Sequence, residues 1–389
     1  MTLRQLPRAF VSPLFVVPLA VAALGAGVAR ASLADRPALS PVASEQTSLP
    51  RALHAKYRPC SRKPSRRRYV AVSGSDGSAG TLSRPWRTIG KALKSAAAGD
   101  AIYVRSGTYP EWVVAQRNGT SAHPIKLLAY PGERPVFTGL LKIEGAFFCV
   151  SGLRFIGKTA ANMNEALIYV SGAHHVEILR NTIVSAFKSS IYVGDEGDLS
   201  EDVSLISNVV RDNGTSGHFD HGIYLGHVRG GLIANNLVVD NRAIGVKVGP
   251  EANDMVVTQN TVVDNGQDGI VVEGEENWSS NDNLVLNNIV AFNHAWGIKT
   301  YWEQSIGSGN RALRNLVFGS GEGDFWFPGG GLTAQRSIRA DPRFIGDGNF
   351  RLRAGSPALN RAIPAFSMRY DITGRLRSRG RADLGAFER

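Results

Sequence analysis

Cysteine and aromatic residues are scarce in this sequence. Only 2 of its 389 residues are Cys and 8% are Phe, Trp or Tyr, so a small disulfide-dense scaffold is excluded. The sequence contains no P-loop, no dinucleotide-binding fingerprint, no GxSxG, no HExxH and no CxxC. These absences exclude the enzyme classes that depend on those motifs. Glycine, by contrast, is frequent, with 43 residues, which suits a fold that turns every few residues.

The net charge of +11 is concentrated at the two ends of the chain. Residues 69–326 carry 20 Lys and Arg against 26 Asp and Glu, so the central region is mildly acidic. A groove for nucleic acid needs a clustered basic surface. We therefore expect no nucleic-acid partner, and we interpret the basic run at 62–68 as a solvated linker.

Six short segments repeat one pattern, in which an Asn precedes a run of β-branched residues. The leading residues, 24 to 28 positions apart, are Asn181, Asn208, Asn236, Asn260, Asn288 and Asn315. A repeat of this length without helical periodicity predicts coils of stacked strands, and therefore an all-β parallel β-helix, or solenoid. Stacked coils place equivalent residues about 4.8 Å apart. The repeated Asn residues are thus expected to form an internal hydrogen-bonded ladder.

The chain is predicted to have four regions. Residues 1–31 resemble a secretory signal peptide, with Arg4 and Arg8 before an apolar stretch and a small-residue site at Ala29–Ala31. Retention as an uncleaved anchor is the alternative, and no other segment is long and apolar enough to span a bilayer. Residues 32–68 are predicted to be a disordered basic linker. Residues 69–326 form the β-helix with its N-terminal cap, and residues 327–389 form a C-terminal capping segment.

An amphipathic helix is predicted around residues 87–97. Ile89, Ala92, Leu93 and Ala96 fall on one face. A helix before the first coil would cover the open end of the stack, which otherwise exposes the core and unpaired strand edges. The two cysteines, Cys60 and Cys149, are compatible with a disulfide in an exported protein, but the sequence alone leaves the bridge open.

A family resemblance rests on the N-terminal signature and on the tail. The signature comprises Val72, Ser73, Gly74, Ser75, Asp76, Gly80, Thr81, Pro85, Thr88, Gly99, Asp100, Tyr103, Gly107, Thr108 and Tyr109. With the tail segments at 341–344, 350–360 and 383–388, it resembles secreted bacterial right-handed parallel β-helix proteins of the pectate-lyase-like superfamily. The resemblance implies a right-handed helix and export. It leaves the reaction open, because one scaffold serves lyases, hydrolases, epimerases and binding proteins.

A second strand register predicts a functional surface on the outside of the helix. Alternation directs one column outward, and its members are Tyr192, Tyr224, Lys247, Val271 and Lys299. Further polar residues border this column: Asp220, His221, His227, Arg242, Asp268, Glu273 and Tyr301. Exposed Lys and Tyr are common on any strand. The concentration of His, Asp and Tyr between 218 and 227 nevertheless favours a site for an extended sugar polymer.

The family resemblance suggests roles for these residues. In a lyase that acts by β-elimination on an acidic, uronate-containing glycan, Lys247 is the candidate base, with Tyr224 or His221 as the acid. Lys299, Tyr301, Arg242 and His227 are candidates for substrate binding. The resemblance also implies Ca²⁺, for which Asp220, Asp268 and Glu273 offer the oxygen ligands that this ion prefers.

Other functions remain open at this point. Asp220 and Asp268 lie two coils apart, about 9–10 Å by strand spacing, so glycoside hydrolysis or epimerisation is an alternative. A non-catalytic cell-surface or matrix glycan-binding protein is another. In each case the expected partner is a polysaccharide, and the protein is expected to be a secreted or periplasmic monomer.

Overall fold

Three long parallel sheets build the molecule. The structure is a computed structural model that describes residues 58–157, 166–194, 198–215, 219–301, 306–346 and 348–389. The chain visits the sheets in the order A, B, C in each coil, and each strand pairs with its equivalent in the next coil. Because every pairing within these sheets is parallel and in register, the fold is the predicted parallel β-helix.

Among the described residues, sheet A has eleven strands and sheets B and C have nine each. Sheet A contains β1 (Arg66–Val70), β2 (Asp100–Val104), β5 (Ile125–Ala129), β8 (Phe148–Ser151), β11 (His174–Leu179), β14 (Ser200–Ile206), β17 (Val228–Ala234), β20 (Ala252–Thr258), β23 (Leu284–Leu286), β26 (Asn310–Leu313) and β29 (Leu332–Gln335). Sheet B contains β3 (Thr108–Tyr109), β6 (Val136–Phe137), β9 (Arg154–Ile156), β12 (Thr182–Val184), β15 (Val209–Arg211), β18 (Leu237–Val239), β21 (Thr261–Val263), β24 (Ile289–Ala291) and β27 (Leu316–Phe318). Sheet C contains β4 (Trp112–Ala115), β7 (Leu140–Ile143), β10 (Ile168–Val170), β13 (Ile191–Val193), β16 (Ile223–Leu225), β19 (Val246–Val248), β22 (Ile270–Val272), β25 (Trp296–Thr300) and β28 (Gly323–Trp326).

The predicted asparagine ladder is present in the interior. From Asn181 to Asn315, each side-chain amide donates to the side-chain oxygen of the Asn in the next coil, over 2.9 to 3.2 Å. A second ladder, five residues further along each coil, joins Asn213, Asn241, Asn265 and Asn293. Both ladders are almost completely buried. Each buried amide has its partner only when the coils stack in this register, and an unpaired buried amide would cost free energy. The ladder therefore fixes the register of the coils.

A short helix, α1 (Ile89–Ser95), lies at the predicted position. Thr88 caps it by accepting a hydrogen bond from the Lys91 amide. The carboxylate of Glu111 also accepts from the amides of Ile89 and Gly90, at 2.8 Å each. The apolar side of the helix is buried in the same core as the first strands, so α1 closes the start of sheet C, where β4 is the edge strand.

The boundary predicted for the linker is wrong at its C-terminal end. Residues 66–68 belong to β1, which pairs with β2 along its whole length. The Arg66 guanidinium donates to Asp100 over 2.7 Å. Residues 66–68 of the basic run therefore contribute to a strand of sheet A, and the charge of Arg66 is paired with an acidic residue that follows later in the chain. The predicted signal peptide and residues 32–57 of the linker lie outside the described residues.

The segment around Cys60 is fastened to the outer face of sheet A. Cys60 and Cys149 form a disulfide that closes a separation of 89 residues. Glu177, which is 1% exposed, accepts from Arg58 Nε at 2.7 Å and from the Cys60 amide at 2.9 Å. Lys126 donates to the Cys60 carbonyl at 3.0 Å. The disulfide and the ionic contacts therefore attach the segment around Cys60 to the exterior of sheet A.

The C-terminal segment packs along the helix as well as extending its end. Strand β29 continues sheet A beyond the predicted limit at 326. The antiparallel hairpin of β30 (Phe344–Gly346) and β31 (Asn349–Leu352) and the 3-10 turn Pro364–Phe366 follow. Thr258 on sheet A donates to the Phe366 carbonyl, and Thr261 on sheet B accepts from the Ala386 amide. The tail therefore covers parts of sheets A and B. In the described part of the chain, no helix combines the length and apolar character needed to cross a membrane.

Candidate functional site

The outward column of sheet C carries the predicted polar residues. Its register joins equivalent positions of successive strands, in the order Val114, Lys142, Tyr169, Tyr192, Tyr224, Lys247, Val271, Lys299 and Trp326. The residues on either side of Lys247, Val246 and Val248, are fully buried in the core. Strand alternation therefore directs Lys247 away from the interior, beside Tyr224, as the repeat spacing predicts.

Three tyrosines stack along this column. The ring centroids of Tyr169 and Tyr192 are 5.1 Å apart, and those of Tyr192 and Tyr224 are 4.9 Å apart. The ammonium groups of Lys142 and Lys247 lie over the two ends of the stack, 4.9 Å and 4.5 Å from the nearest ring centroids. Cation–π contacts thus hold the Nζ atom of Lys247 at the face of Tyr224.

Lys247 forms an ion pair that shields it from solvent. Its Nζ lies 2.9 Å from Oε2 of Glu273, and the two side chains are 8% and 6% exposed. Lys247 therefore lies on the outer side of the sheet but is sheltered from solvent, because side chains from both neighbouring coils cover it. Burial raises the pKa of Glu273, although the charge of Lys247 opposes this change. Glu273 thus shares a poorly solvated environment with the candidate base.

A second ion pair lies one coil further on. Nζ of Lys299 is 3.0 Å from Oδ2 of Asp268, and Oδ1 of Asp268 accepts a hydrogen bond from the Trp296 amide at 3.0 Å. The ammonium group also lies 5.2 Å from the ring centroid of Trp326 and 5.9 Å from that of Tyr301. Lys299 is therefore held between an acidic partner and two aromatic rings.

His221 is buried beside Tyr224. The two rings meet edge to face at 5.3 Å, and His221 is 1% exposed. Its Nδ1 accepts from the Ile244 amide at 3.3 Å, which places the proton on Nε2. Among the described residues, Nε2 has no hydrogen-bond partner. Burial, assisted by the charge of Lys247, lowers the pKa of His221 to about 3. The ring is therefore neutral near pH 7 and cannot act as an imidazolium acid.

The hydroxyl of Tyr224 holds its proton more tightly than a free phenol does. Burial raises the pKa of its hydroxyl, and the carboxylates of Glu273 and Glu275 raise it further. The phenol therefore stays protonated at neutral pH. Between the two acids left open by the sequence, this difference favours Tyr224 over His221.

Three other predicted residues lie at the edges of the site. His227 Nδ1 is 2.7 Å from Oε2 of Glu251, and its ring meets Trp278 edge to face at 5.1 Å. Arg242 is exposed on the turn that precedes β19. Asp220 is buried and accepts from the Thr215 amide at 2.8 Å. None of these contacts assigns a chemical role.

The predicted calcium ligands have other partners. Asp268 and Glu273 each bind a lysine, and Asp220 accepts a backbone amide. Within the ranges that the structure describes, no group of three His, Cys, Asp or Glu residues converges to hold a metal ion. The described carboxylates do not fit a calcium site, which needs several free oxygens. Calcium binding stays a prediction, and no step of the proposed chemistry depends on it.

The two carboxylates considered for glycoside hydrolysis do not occupy equivalent positions. The register aligns Ile223, Val246 and Ile270. Asp220 lies three residues before Ile223, whereas Asp268 lies two residues before Ile270. The two carboxylates therefore belong to different columns. Because Asp268 is also paired with Lys299, the arrangement gives hydrolysis less support than elimination.

A cleft opens beside the ion pair of Lys247. It encloses about 360 Å³, and its lining residues are Glu273, Gly274, Glu275, Glu276, Asn277, Trp278 and Tyr301. Trp278 carries no repeat signal in the sequence, because this residue lies between the two repeat registers. A larger cavity of about 760 Å³ lies against the β30–β31 hairpin. We place the site at sheet C, because the shifted ionisable groups cluster there.

Comparisons with known proteins agree with this architecture. Residues 68–209 match the family model described as "Pel9A-like, right handed beta helix region", and residues 146–321 match "Right handed beta helix region". The uncharacterized protein YwoF of Bacillus subtilis is 28% identical over 202 residues, which cover 46% of this chain and 42% of YwoF. Pectate lyase PEL9 of Emericella nidulans is 41% identical over 73 residues, 18% of each chain. The matched segments thus span less than half of either relative.

One solved structure shares most of the fold. The crystal structure of pectate lyase Pel9A has a TM-score of 0.62 and 15% sequence identity, and the alignment covers 86% of this chain and 99% of Pel9A. At this identity the likeness establishes the fold alone. Together, the two family models and this structural match show that the chain is a right-handed parallel β-helix protein, of which residues 68–209 match the Pel9A-like region.

Proposed function

We propose that the protein is a polysaccharide lyase that cleaves an acidic, uronate-containing glycan by β-elimination on the outer face of sheet C. The observation that carries this proposal is the shielded pair of Lys247 and Glu273 against the face of Tyr224. This arrangement brings together an amine, a carboxylate and a phenol, which are the groups that proton transfer requires. The fold that the chain shares with pectate lyase Pel9A is consistent with a polysaccharide substrate.

Lys247 is the proposed base. In elimination, the amine of Lys247 takes the proton α to the uronate carboxylate, the released electron pair forms a carbon–carbon double bond, and the glycosidic C–O bond breaks. The amine can do so only when uncharged. Glu273, 2.9 Å from Nζ, lies where it can accept the proton that Lys247 must release beforehand.

Tyr224 is the proposed acid. Its hydroxyl, kept protonated by burial, donates a proton to the departing glycosidic oxygen. Solvent then restores the proton to the phenolate. His221 instead packs edge-on against the Tyr224 ring, so we propose that it positions Tyr224 without exchanging a proton.

Positive charge is also needed near the substrate carboxylate, in order to neutralise it. The exposed Arg242 is the proposed source of this charge. Lys299, which is paired with Asp268, is proposed to border the bound polymer together with His227 and Tyr301. We further propose that the protein acts outside the cytoplasm. The disulfide between Cys60 and Cys149 supports this location, since such bonds persist in oxidising compartments.

A non-catalytic glycan-binding protein is the second candidate. The observation that favours it is that both lysines already have acidic partners and that the tyrosine rings cover one another's faces. Such a cluster is satisfied without a substrate. In this case the same face would hold a polysaccharide without cleaving it.

An assay on a panel of polymers separates the two candidates. The purified protein is incubated with pectate, alginate and glycosaminoglycans, and the ultraviolet absorbance of unsaturated uronate ends is followed with and without chelator. A rise in absorbance supports the lyase. New reducing ends without this absorbance would instead indicate hydrolysis, and binding without any new ends would indicate the glycan-binding protein.

A further inference from the structure

The cleft next to the candidate base suggests which sugars flank the bond to be cleaved. We propose that the cleft between Trp278 and Tyr301 binds a sugar residue without a carboxylate, so that the substrate is a mixed polymer in which uronates are joined to neutral or amino sugars. This inference rests on the proposed function, because it assigns a neighbouring subsite to the same site.

The cleft lies one side chain away from Lys247. Glu273 lines it and contacts Nζ of Lys247 at 2.9 Å. Val272 pairs with Thr300 in the register of sheet C, so the next residues, Glu273 and Tyr301, lie on adjacent coils about 4.8 Å apart. A sugar in the cleft would therefore be the immediate chain neighbour of a uronate placed at Lys247.

The walls of the cleft suit a sugar ring. Trp278 and Tyr301 are each 36% exposed, which is high for residues with large apolar rings. Their partly exposed rings offer flat apolar surfaces to the C–H faces of a sugar. The cleft volume of about 360 Å³ lies within the range of sites for small ligands.

The charge of the cleft disfavours a second uronate. Its described lining includes three glutamates and no Lys or Arg. Glu273 has Lys247 as its partner, whereas Glu275 and Glu276 are exposed. The nearby cation Lys299 is engaged by Asp268 at 3.0 Å. A carboxylate in the cleft would meet uncompensated negative charge, and such like-charge contacts are a common source of specificity.

This charge distribution divides the site into two halves. On the Lys247 side, the amine can approach the proton α to the uronate carboxylate. On the Trp278 side the glutamates favour a neutral ring or an ammonium group. A homopolymer of uronates would place a carboxylate in both halves and would therefore be a poor substrate.

Substrate preference tests the inference. The rate of unsaturated-product formation, as kcat/KM, is compared between homopolymers (pectate, alginate) and alternating polymers (uronate–hexosamine and uronate–rhamnose). We expect a preference of at least tenfold for an alternating polymer. The Glu275→Gln/Glu276→Gln variant should reduce this preference by raising the rate on homopolymers, and Trp278→Ala should raise KM for the alternating polymer.

Matched controls distinguish the cleft from general effects. Glu201 is exposed on β14 of sheet A, and Trp112 is exposed on β4, six strands from β22. Glu201→Gln and Trp112→Ala should leave the preference unchanged. Equal or faster turnover of homopolymers by the wild-type protein would overturn the inference while leaving the lyase proposal intact, as would an unchanged preference in the double glutamine variant.

Failure of the lyase proposal itself would give a different result. If the wild-type protein yields no unsaturated product from any polymer, the lyase proposal fails, and the same polymers are then compared by isothermal titration calorimetry. Tighter binding of an alternating polymer, weakened by Trp278→Ala, would uphold the cleft assignment for a glycan-binding protein. Equal binding of both polymer types would refute it.

Discussion

Replacement of Lys247 by alanine should impair both folding stability and turnover. The side chain is 8% exposed and its partner Glu273 is 6% exposed, so Lys247→Ala leaves a buried carboxylate without its cation. Removal of one partner from a buried pair costs about 3–5 kcal/mol. We expect the free energy of unfolding to fall by about 3 kcal/mol, at the lower end of that range, because the pair lies on the outer face of the sheet.

A double variant separates stability from chemistry. Lys247→Met/Glu273→Gln removes both charges and keeps similar side-chain lengths, so no unpaired ion is buried. Its unfolding free energy should lie within about 1 kcal/mol of wild type, since replacement of a whole buried pair is often close to neutral. If Lys247 is the base, both variants should nevertheless lose at least about 10²-fold in turnover.

Urea denaturation followed by tryptophan fluorescence measures these differences. The reasoning predicts a lowered midpoint for Lys247→Ala and a restored midpoint for the double variant, with similar slopes. A single variant as stable as wild type would refute the claim that Lys247 neutralises a buried carboxylate. A double variant as unstable as the single one would show that the side chains matter through packing instead of charge.

Three further predictions concern the scaffold and the buried histidine. Asn236→Ala breaks the interior ladder and should lower the unfolding free energy by about 2–4 kcal/mol, because buried amides and carbonyls lose their partners; Asn→Ala at an exposed position serves as the control in the same denaturation assay. The Cys60→Ser/Cys149→Ser variant should lose about 4–5 kcal/mol, the chain-entropy value for the 89-residue separation; wild type under reducing conditions should show the same loss, and no loss in either would contradict the structural role of the bridge. The pKa of His221 is lowered to about 3 in the folded state, from 6.5, so the unfolded state takes up a proton at a higher pH than the folded state does. The contribution of neutral His221 to stability is therefore complete above pH 6.5 and is lost as the pH falls towards 3. Between pH 6.5 and 5 the loss should reach about 2 kcal/mol, and His221→Gln should flatten this slope in pH-dependent denaturation.

The sequence predicted the fold because the repeat encodes it directly. Each Asn that opens a repeat bonds to its equivalent in the next coil, so spacing, polarity and burial all indicate the same stacking. The helix α1 was predictable for a similar reason, since its buried face is amphipathic over two turns. Local patterns that are repeated along the chain are thus sufficient to define the β-helix.

The environment of the site could not be predicted from the same patterns. Alternation gave the outward direction of Lys247, but the shielding depends on the side chain of Glu273, which comes from a neighbouring coil and a different position in the repeat. Likewise, the linker boundary failed because the partner of Arg66 is Asp100, 34 residues later. Such isolated pairings leave no periodic signal in the sequence.

The most direct test of the central claim is the yield of unsaturated uronate ends from an acidic polysaccharide, measured for wild type beside the Lys247→Met/Glu273→Gln variant. If sheet C holds the catalytic site, ultraviolet absorbance should rise with wild type on at least one uronate polymer and should stay at background with the equally stable variant. Equal product from both proteins would contradict the assignment of Lys247 as the base. The absence of product from wild type on every polymer in the panel would contradict the proposed elimination itself.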